Sequence, residues 1–385
     1  MKLISYGKQY IDKFDVRSVI ESLKKDKITT GSLVEKFEDK ISKYLKCKYI
    51  STCNSGTSAL YLAFKAINLK KNDVVIMPSI NFIASYNVAS SLGAKIYLSD
   101  VDQYTGQSTP VKINECLKRY KLKKVKAILV MYNGGYPENA EKFFKLKKKL
   151  GCYIIEDACH ALGASYSVFK KKYKIGSCKH CDISTFSLHP LKTITTGEGG
   201  IVTTNSKLFD EKIKKYRSHG IRRNFNKHWV YDVIYKGFNF RLNDIQCSLG
   251  ISQLKKINFF LKERNKITNK YDMELKKIKN IKIINKISKY QSSNNLYIIS
   301  LKNTYSGQKE KLIKYMLKKN IILQYHYIPL YKFKVFIGKY LSNDTEKYYR
   351  NSISLPIYCG LSKKNQNYII KNLKQFFNLL KNNIK

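Results

Sequence analysis

The sequence predicts an α/β fold: a mostly parallel central sheet covered by helices, followed by a smaller C-terminal α+β region. Short apolar runs alternate with helix-period segments from about Tyr49 to Gly200, the pattern of strands buried on both faces and linked by crossover helices. Beyond that stretch the alternation gives way to a long helical run and then to a mixed set of strands and helices. The chain, at 385 residues, is long enough for about two domains around a large core.

In chain order, Tyr49–Thr52, Asp73–Met77, Lys95–Leu98, Ala127–Met131 and Cys152–Glu156 read as strands. Between them, Ser58–Ile67, Phe82–Ser90, Val111–Arg119 and Ala140–Leu150 read as helices. One long helix is predicted from about Asn243 to Met273, through Leu249, Leu254, Phe260 and Ile267, bridging into the smaller region. That region holds predicted strands Asn295–Leu301 and Ile321–Tyr325 and predicted helices Gly307–Lys318 and Lys363–Leu380. The division is then 1–250 for a large domain and 251–385 for a small one, with segment 1–30 expected to pack near the substrate site. No internal repeat and no long Pro/Gly/Ser linker interrupts it. In open parallel sheets, ligands gather beyond the carboxyl ends of the strands, so chemistry is sought there.

Composition narrows the function classes. Hydrophobic residues make up 43% of the chain, and no apolar run approaches the roughly 18 residues a membrane span needs. The segment Met1-Lys2-Leu3-Ile4-Ser5-Tyr6-Gly7-Lys8 lacks the apolar core of a signal peptide, so a cytoplasmic location and no membrane partner are expected. The formal net charge of +46 invites a nucleic-acid reading. Lysine, however, far outnumbers arginine, the residue that reads phosphates and bases bidentately. The lysines are also spread along the whole chain, so no nucleic-acid partner is expected. There are nine cysteines. Cys178-Lys179-His180-Cys181 is a CxxC without a second such pair, which favours reduced thiols and no metal.

Three segments carry chemistry. Asn54-Ser55-Gly56-Thr57-Ser58-Ala59-Leu60 follows a strand and opens a helix. Its small residues let backbone N–H groups approach an anion at the positive helix end, and Thr57 adds a hydroxyl. An ordinary capped helix start fits as well. Ile154-Ile155-Glu156-Asp157-Ala158-Cys159-His160 ends an apolar strand in two carboxylates. A carboxylate buried there needs a cationic partner to stay ionised, such as a protonated pyridine nitrogen. A helix cap or a metal ligand are the other readings. The run from Phe186 through Ser187, His189, Pro190 and Lys192 to Gly197-Glu198-Gly199-Gly200 places one lysine before a glycine-rich turn. A lysine in so lysine-rich a chain is ordinarily a solvated surface group. Here Ser187 supplies a further phosphate donor and the glycines permit close backbone approach.

These segments, in this order, resemble the DegT/DnrJ/EryC1/StrS sugar aminotransferases, which have the type I fold of pyridoxal-phosphate transferases. Arg217-Ser218-His219-Gly220, the run Gly237-Phe238-Asn239-Phe240-Arg241-Leu242-Asn243-Asp244, and Lys27-Ile28-Thr29-Thr30-Gly31 with Phe37-Glu38 extend the resemblance over nearly the whole chain. The resemblance implies pyridoxal 5′-phosphate as cofactor, with Lys192 as the lysine that bonds to it. It implies that Asp157 pairs with the pyridine nitrogen, His160 lies beside the phenolic oxygen, and Phe82 stacks on the ring. Gly56, Thr57 and Ser187 would hold the phosphate. Asn239 would reach the phosphate of a neighbouring subunit's cofactor, which implies a homodimer with shared active sites. Thr30, Arg217, His219, His326 and Tyr327 are the implied substrate contacts, although His326 also reads as a packed aromatic-strand residue.

The resemblance further implies two half-reactions with ping-pong kinetics: an amino-acid donor, glutamate in most relatives, and a nucleotide-linked ketosugar acceptor. The runs Arg217–Ile221, Leu249–Lys256 and Gln324–Tyr331 are most similar to the branch that aminates UDP-4-keto-6-deoxy-N-acetyl-β-L-altrosamine on the way to pseudaminic acid. Met131–Tyr136 and Asp102–Ser108 depart from the family's usual segments. A dTDP-, GDP- or UDP-linked 3- or 4-keto sugar is the alternative acceptor. Dehydratase relatives replace the lysine, and Lys192 is present. A basic nucleic-acid-binding protein without catalysis would have no physical reason to keep both Asp157 and Lys192.

Overall fold

The computed structural model describes residues 2–223, 226–227, 229–283, 288–302 and 305–382. Its centre is one eight-stranded sheet: β1 (Tyr49–Cys53), β2 (Val74–Pro78), β3 (Lys95–Ser99), β4 (Ala127–Met131), β5 (Tyr153–Asp157), β6 (Ile183–Ser187), β7 (Gly200–Thr204) and β8 (Lys339–Tyr340). The spatial order is β1-β7-β6-β5-β4-β2-β3-β8. Every neighbouring pair is parallel except those made by β7, which runs antiparallel to β1 and β6. Side chains alternate across the strands. Ile128, Val130 and Ile154 therefore enter one core with Phe37 and Phe186, while Leu129 and Ile155 enter the opposite core with Leu60 and Met77.

The five strands predicted in the first half of the sheet are present within one residue at each end. Strands β6 and β7 were not predicted, because polar residues disguise them. Ser184, Thr185, Thr203 and Thr204 are buried. Three of their hydroxyls are satisfied by carbonyls: Thr185 donates to Glu156 O (3.1 Å), Thr203 to Gly176 O (2.9 Å) and Thr204 to Asp182 O (2.8 Å). A buried hydroxyl with a partner is tolerated where periodicity asks for an apolar residue.

The predicted long helix is two helices, Asp244–Lys255 and Ile257–Leu275. The break at Lys256 contains neither Gly nor Pro, so the sequence does not announce it. At the break the Lys256 ammonium is held by Asp12 (2.8 Å) and by the fully buried Asp15 (2.6 Å). Toward the C-terminus, Tyr297–Leu301 lies between Ile281–Ile283 and Ser352–Leu355 in an antiparallel sheet. Helices Lys309–Lys318 and Lys363–Asn382 pack beside it. The predicted strand Ile321–Tyr325 does not form. Its extended chain makes single bridges to two different segments, Ile321 with Ile4 and Gln324 with Ser354. Ile4 is 2% exposed and shares the C-terminal core with Ile321 and Leu355. The N-terminal segment thus crosses to the C-terminal unit, and this crossing delivers Tyr6 and Gly7 to the central cavity. Among the described residues, no helix is long and apolar enough to cross a membrane.

Candidate active site

A cavity of about 370 Å³ opens at the carboxyl end of the parallel strands. Met131, Asp157 and Ser187, the last residues of β4, β5 and β6, all line it, in keeping with the general location of ligands in such sheets. Strand alternation separates the two carboxylates that end β5. Glu156 faces the buried side, where it accepts from Tyr132 Oη (2.7 Å) and from Ser184 Oγ; burial pushes its carboxyl up to about 7. Asp157 faces the cavity. Its Oδ1 accepts only weakly from the Cys159 N–H at 3.3 Å. Burial raises its carboxyl, opposed by Cys159 and by the charge of Lys192. A cation placed against Asp157 from the cavity would relieve that cost.

Ser55 caps helix Gly56–Ala66, its side chain accepting from Ser58 N at 3.1 Å. The first-turn N–H groups of any helix lack intrahelical partners, and Gly56 and Thr57 line the cavity here. A Cβ at Gly56 would stand 2.9 Å from Ser187 Cβ and 3.4 Å from Cys159 Sγ. Glycine therefore lets the helix end approach β6 closely, so that Gly56, Thr57 and Ser187 stand together on one side of the cavity.

Lys192 sits in the turn after β6, its backbone N–H donating to His189 O at 2.9 Å. The turn is closed by Leu188 N to Gly199 O (2.8 Å) and by Thr195 Oγ1 to Leu188 O (2.9 Å). Burial pushes the Lys192 ammonium below its usual range, against the pull of Cys159 and Asp157. The amine is accordingly free from a lower pH than an ordinary lysine's.

The opposite wall is aromatic. The Gly134 N–H donates to His160 Nδ1 (3.3 Å), which leaves the ring proton on Nε2, and Nε2 donates to Tyr327 Oη (2.9 Å). The two rings stack 5.9 Å apart at 22°. Burial, then the Lys192 charge, drives His160 well below its usual pKa. His326 both lines the cavity and is packed: its Nδ1 meets Ser354 Oγ at 2.8 Å and its ring lies 5.7 Å from Tyr6. Burial and Lys192 push it down to about 3. Phe82, 54% exposed, stands at the mouth 5.8 Å from Tyr327.

A folded-state pKa below the unfolded value means that these rings favour folding fully above the unfolded pKa, about 6.5, and that this support is lost as pH falls. Each neutral ring should then steepen acid destabilisation by about 1.4 kcal/mol per pH unit below pH 6.5. Denaturant melts between pH 4 and pH 7 are expected to show His326→Gln lacking one such increment. An unchanged slope would contradict the buried, neutral ring.

The two segments that depart from the family pattern meet beneath His326. Asn133 Nδ2 donates to Thr105 O (3.1 Å) and reaches Tyr348 Oη (2.8 Å), whose hydroxyl donates to His326 O (2.7 Å). Gly106 has φ +67°, and a Cβ there would stand 2.5 Å from Tyr348 Cζ. One buried polar cluster thus sets the height of the wall carrying His326 and Tyr327.

Of the sequence-predicted site residues, the structure gathers Gly56, Thr57, Phe82, Asp157, His160, Ser187, Lys192, His326 and Tyr327 around one cavity. It does not bring Thr30, Arg217, His219 or Asn239 to that cavity. Thr30 and His219 are exposed, with φ of +52° and +60°. Arg217 is turned away into an ion pair with Glu38 at 2.6 Å. Asn239 is exposed beside Ser218, with which it forms an isolated bridge. Sequence reasoning missed Tyr6, Asn295, Leu296 and Ile357 as individual lining residues. Each comes from a segment far along the chain, and only the expected packing of segment 1–30 pointed toward one of them. Cys178 and Cys181 are buried, with Cys178 Sγ 3.2 Å from Thr203 O and Cys181 Sγ 3.3 Å from Ser184 Oγ. Among the described residues, no group of three or more His, Cys, Asp and Glu could hold a metal.

Comparison with known proteins gives a consistent picture. The pattern of the DegT/DnrJ/EryC1/StrS aminotransferase family matches residues 9–374. The UDP-4-amino-4,6-dideoxy-N-acetyl-beta-L-altrosamine transaminase of Campylobacter jejuni is 36% identical over 371 residues, covering 95% of this chain and 96% of that one. The GDP-perosamine synthase of Escherichia coli O157:H7 is 30% identical over 348 residues, covering 90% and 91%. Among solved structures, Helicobacter pylori PseC, an aminotransferase involved in the biosynthesis of pseudoaminic acid, superposes with a TM-score of 0.89 at 30% identity, covering 98% of this chain and 100% of that one.

Proposed function

Because the chain belongs to the DegT/DnrJ/EryC1/StrS aminotransferase family, we propose that it transfers an amino group, using pyridoxal 5′-phosphate, from L-glutamate to the 4-keto carbon of a UDP-linked 6-deoxy N-acetyl hexosulose. The observation that carries the chemistry is the joint presence, in one cavity, of the depressed Lys192 amine and the buried, under-compensated Asp157 carboxylate. The acceptor is proposed from similarity to enzymes named for the altrosamine derivative, which include C. jejuni and H. pylori proteins 36% and 31% identical to this chain.

The residues fit the cofactor. The cradle at Gly56, Thr57 and Ser187 suits its phosphate, Phe82 offers a flat apolar face, and Asp157 has the place and the need for a protonated ring nitrogen. When bound, pyridoxal phosphate supplies an electron sink for the carbon that bears the migrating nitrogen. Asp157 holds the ring-nitrogen proton that keeps this sink effective. Lys192 Nζ, neutral from a lower pH than usual, would hold the cofactor and would be the base that moves the α-proton of the donor. Neutral His160 presents its Nε2–H, and Tyr327, accepting from it, directs its own hydroxyl proton elsewhere into the cavity. The aromatic wall of Tyr6, His326 and Tyr327 limits water above the reacting atoms. Glutamate gives 2-oxoglutarate and the ketosugar gives the 4-amino sugar, so atoms and charge balance over the two half-reactions.

The active unit proposed is a homodimer with Asn239 of each copy facing the other's cofactor phosphate. In support, the hairpin of Ile221–Arg223 and Tyr231–Val233 leads back to Asn239 and displays Trp229 (68% exposed) and Tyr231 (59%), an apolar surface suited to a second copy. A free amino-acid donor and a nucleotide-sugar acceptor suit a cytoplasmic enzyme.

The acceptor is tested by incubating the loaded protein with glutamate and a panel of UDP-, GDP- and dTDP-linked 3- and 4-keto sugars while following 2-oxoglutarate. The UDP 4-keto-6-deoxy N-acetyl sugar is expected to give a kcat/KM at least about tenfold above the others, the margin one added hydrogen bond or well-filled contact supplies. Faster turnover of a GDP or dTDP sugar would move the proposal to that acceptor.

A further inference from the structure

We infer that Arg217 and Glu38 are a positioning pair for the phosphate cradle, and that Arg217 does not touch the sugar nucleotide. This rests on the proposed role of Gly56, Thr57 and Ser187 in holding the cofactor's phosphate.

Strand β1 is an edge strand whose single sheet neighbour is β7. Its outward N–H and C=O groups at Thr52 would otherwise lack partners. The ion pair takes the place of a neighbouring strand. Glu38 Oε1 accepts from Thr52 N (2.8 Å), from Thr52 Oγ1 (2.9 Å) and from Arg217 NH1 (2.6 Å). Arg217 NH1 also donates to Thr52 O at 2.9 Å. Both charged side chains are 15% exposed, so each charge depends on the other for compensation.

Thr52 is four residues before Gly56, and only Cys53, Asn54 and Ser55 lie between the clamp and the helix end. A second path reaches the same point. The Arg217 carbonyl accepts from Phe240 N (3.0 Å), and the Phe240 carbonyl accepts from Asn54 N (2.9 Å). Asn54 Oδ1 then accepts from Ser58 Oγ at 2.6 Å, in the first turn of the helix. Arg217 therefore fixes the start of helix Gly56–Ala66 from two sides, through its guanidinium and through its backbone. The second path runs through the segment that carries Asn239. A sugar contact would require the guanidinium to face the cavity, whereas the donors of NH1 are spent on Glu38 and Thr52.

The test compares binding of pyridoxal 5′-phosphate with binding of pyridoxal, which lacks the phosphate, in Arg217→Lys and Glu38→Gln. Lysine keeps the charge but loses the planar fork, and glutamine keeps the shape but loses the charge. Both variants are expected to bind pyridoxal phosphate about tenfold or more weakly, as displacement of a binding group by a fraction of an ångström does, while binding pyridoxal as the unmodified protein does. Comparing the two ligands within one folded, purified sample removes any effect of lost folded protein. Thr52→Val, which deletes only one contact to Glu38, should give a smaller loss of the same phosphate-dependent kind. Unchanged pyridoxal phosphate affinity in Arg217→Lys and Glu38→Gln would overturn the inference. So would equal weakening of both ligands, which is the mark of a general structural role. A raised KM for the sugar nucleotide with intact cofactor affinity would make Arg217 a substrate contact instead. The double variant Thr57→Ala/Ser187→Ala separates the two readings: if it shows no phosphate-dependent loss, the cradle itself is misassigned, and if it alone shows the loss, only the positioning pair fails.

Discussion

Lys192→Ala is expected to abolish the borohydride-stable adduct with pyridoxal phosphate and to lower kcat by on the order of 10⁶, the scale seen when a covalent nucleophile is removed. The chain offers a strong internal control, because it carries 73 lysines and arginines. Exposed lysines form adducts with an aldehyde as well, but slowly and without a pocket. Lys170, exposed on the turn between Ser165–Val168 and Lys171–Lys174, is one of these, and Lys170→Ala should retain full trapping and turnover. The difference follows from environment. Lys192 loses its proton more readily because burial disfavours its charge, and a neutral amine is the form that attacks a carbonyl. The sign gives a further check. Adduct formation at Lys192 should persist to a lower pH than adduct formation on surface lysines, and fall off only as pH drops through its depressed pKa. Trapping by mass spectrometry across pH, with the site read from the modified peptide, measures both. Full trapping on an intact Lys192→Ala protein would remove the basis of the proposed chemistry.

That lysine was legible only through its neighbours. Hydrophobic periodicity exposed β4, whose Ala127–Met131 is buried at every position, and located the strand that ends in Asp157. It did not expose β6, although Ser187 and Lys192 follow from that strand, because Ser184 and Thr185 break the apolar pattern and are paired out of sight. Local chemistry at Gly56 and Asp157 could be read from short segments, since a helix start and a strand end are local facts. The aromatic wall could not. Tyr6, His160 and Tyr327 meet because Ile4 bridges to Ile321 in the C-terminal core and because Asn133 ties Thr105 to Tyr348. No window of sequence contains those partners. Arg217 shows the converse: a motif identified the residue, but only the folded structure shows its NH1 donating to Glu38 and Thr52.

Asp157→Asn is expected to lower kcat by about 10²–10³, the loss for removing one preorganised electrostatic partner, while leaving cofactor trapped on Lys192. Asparagine keeps the size of the side chain and removes its charge. The ring nitrogen, without an anion beside it, should lose its proton at a lower pH than in the unmodified protein, which a spectral pH titration of the bound cofactor reads directly. Glu156 is the matched control, adjacent in sequence and equally a carboxylate. It faces away from the cavity, where Tyr132 and Ser184 donate to it, and burial holds its carboxyl near 7 rather than fully ionised. Glu156→Gln retains an acceptor for one of those hydroxyls and should change kcat only a few-fold, the cost appearing instead as lost stability of about 1–3 kcal/mol from a strained buried network. The strand geometry thus makes opposite demands on two neighbouring carboxylates: one is compensated within the protein, the other is left for a bound cation. If Glu156→Gln silenced turnover and shifted the cofactor spectrum while Asp157→Asn did neither, the side of β5 that meets the cofactor would be the wrong one, and the assignment of the cavity would fall with it.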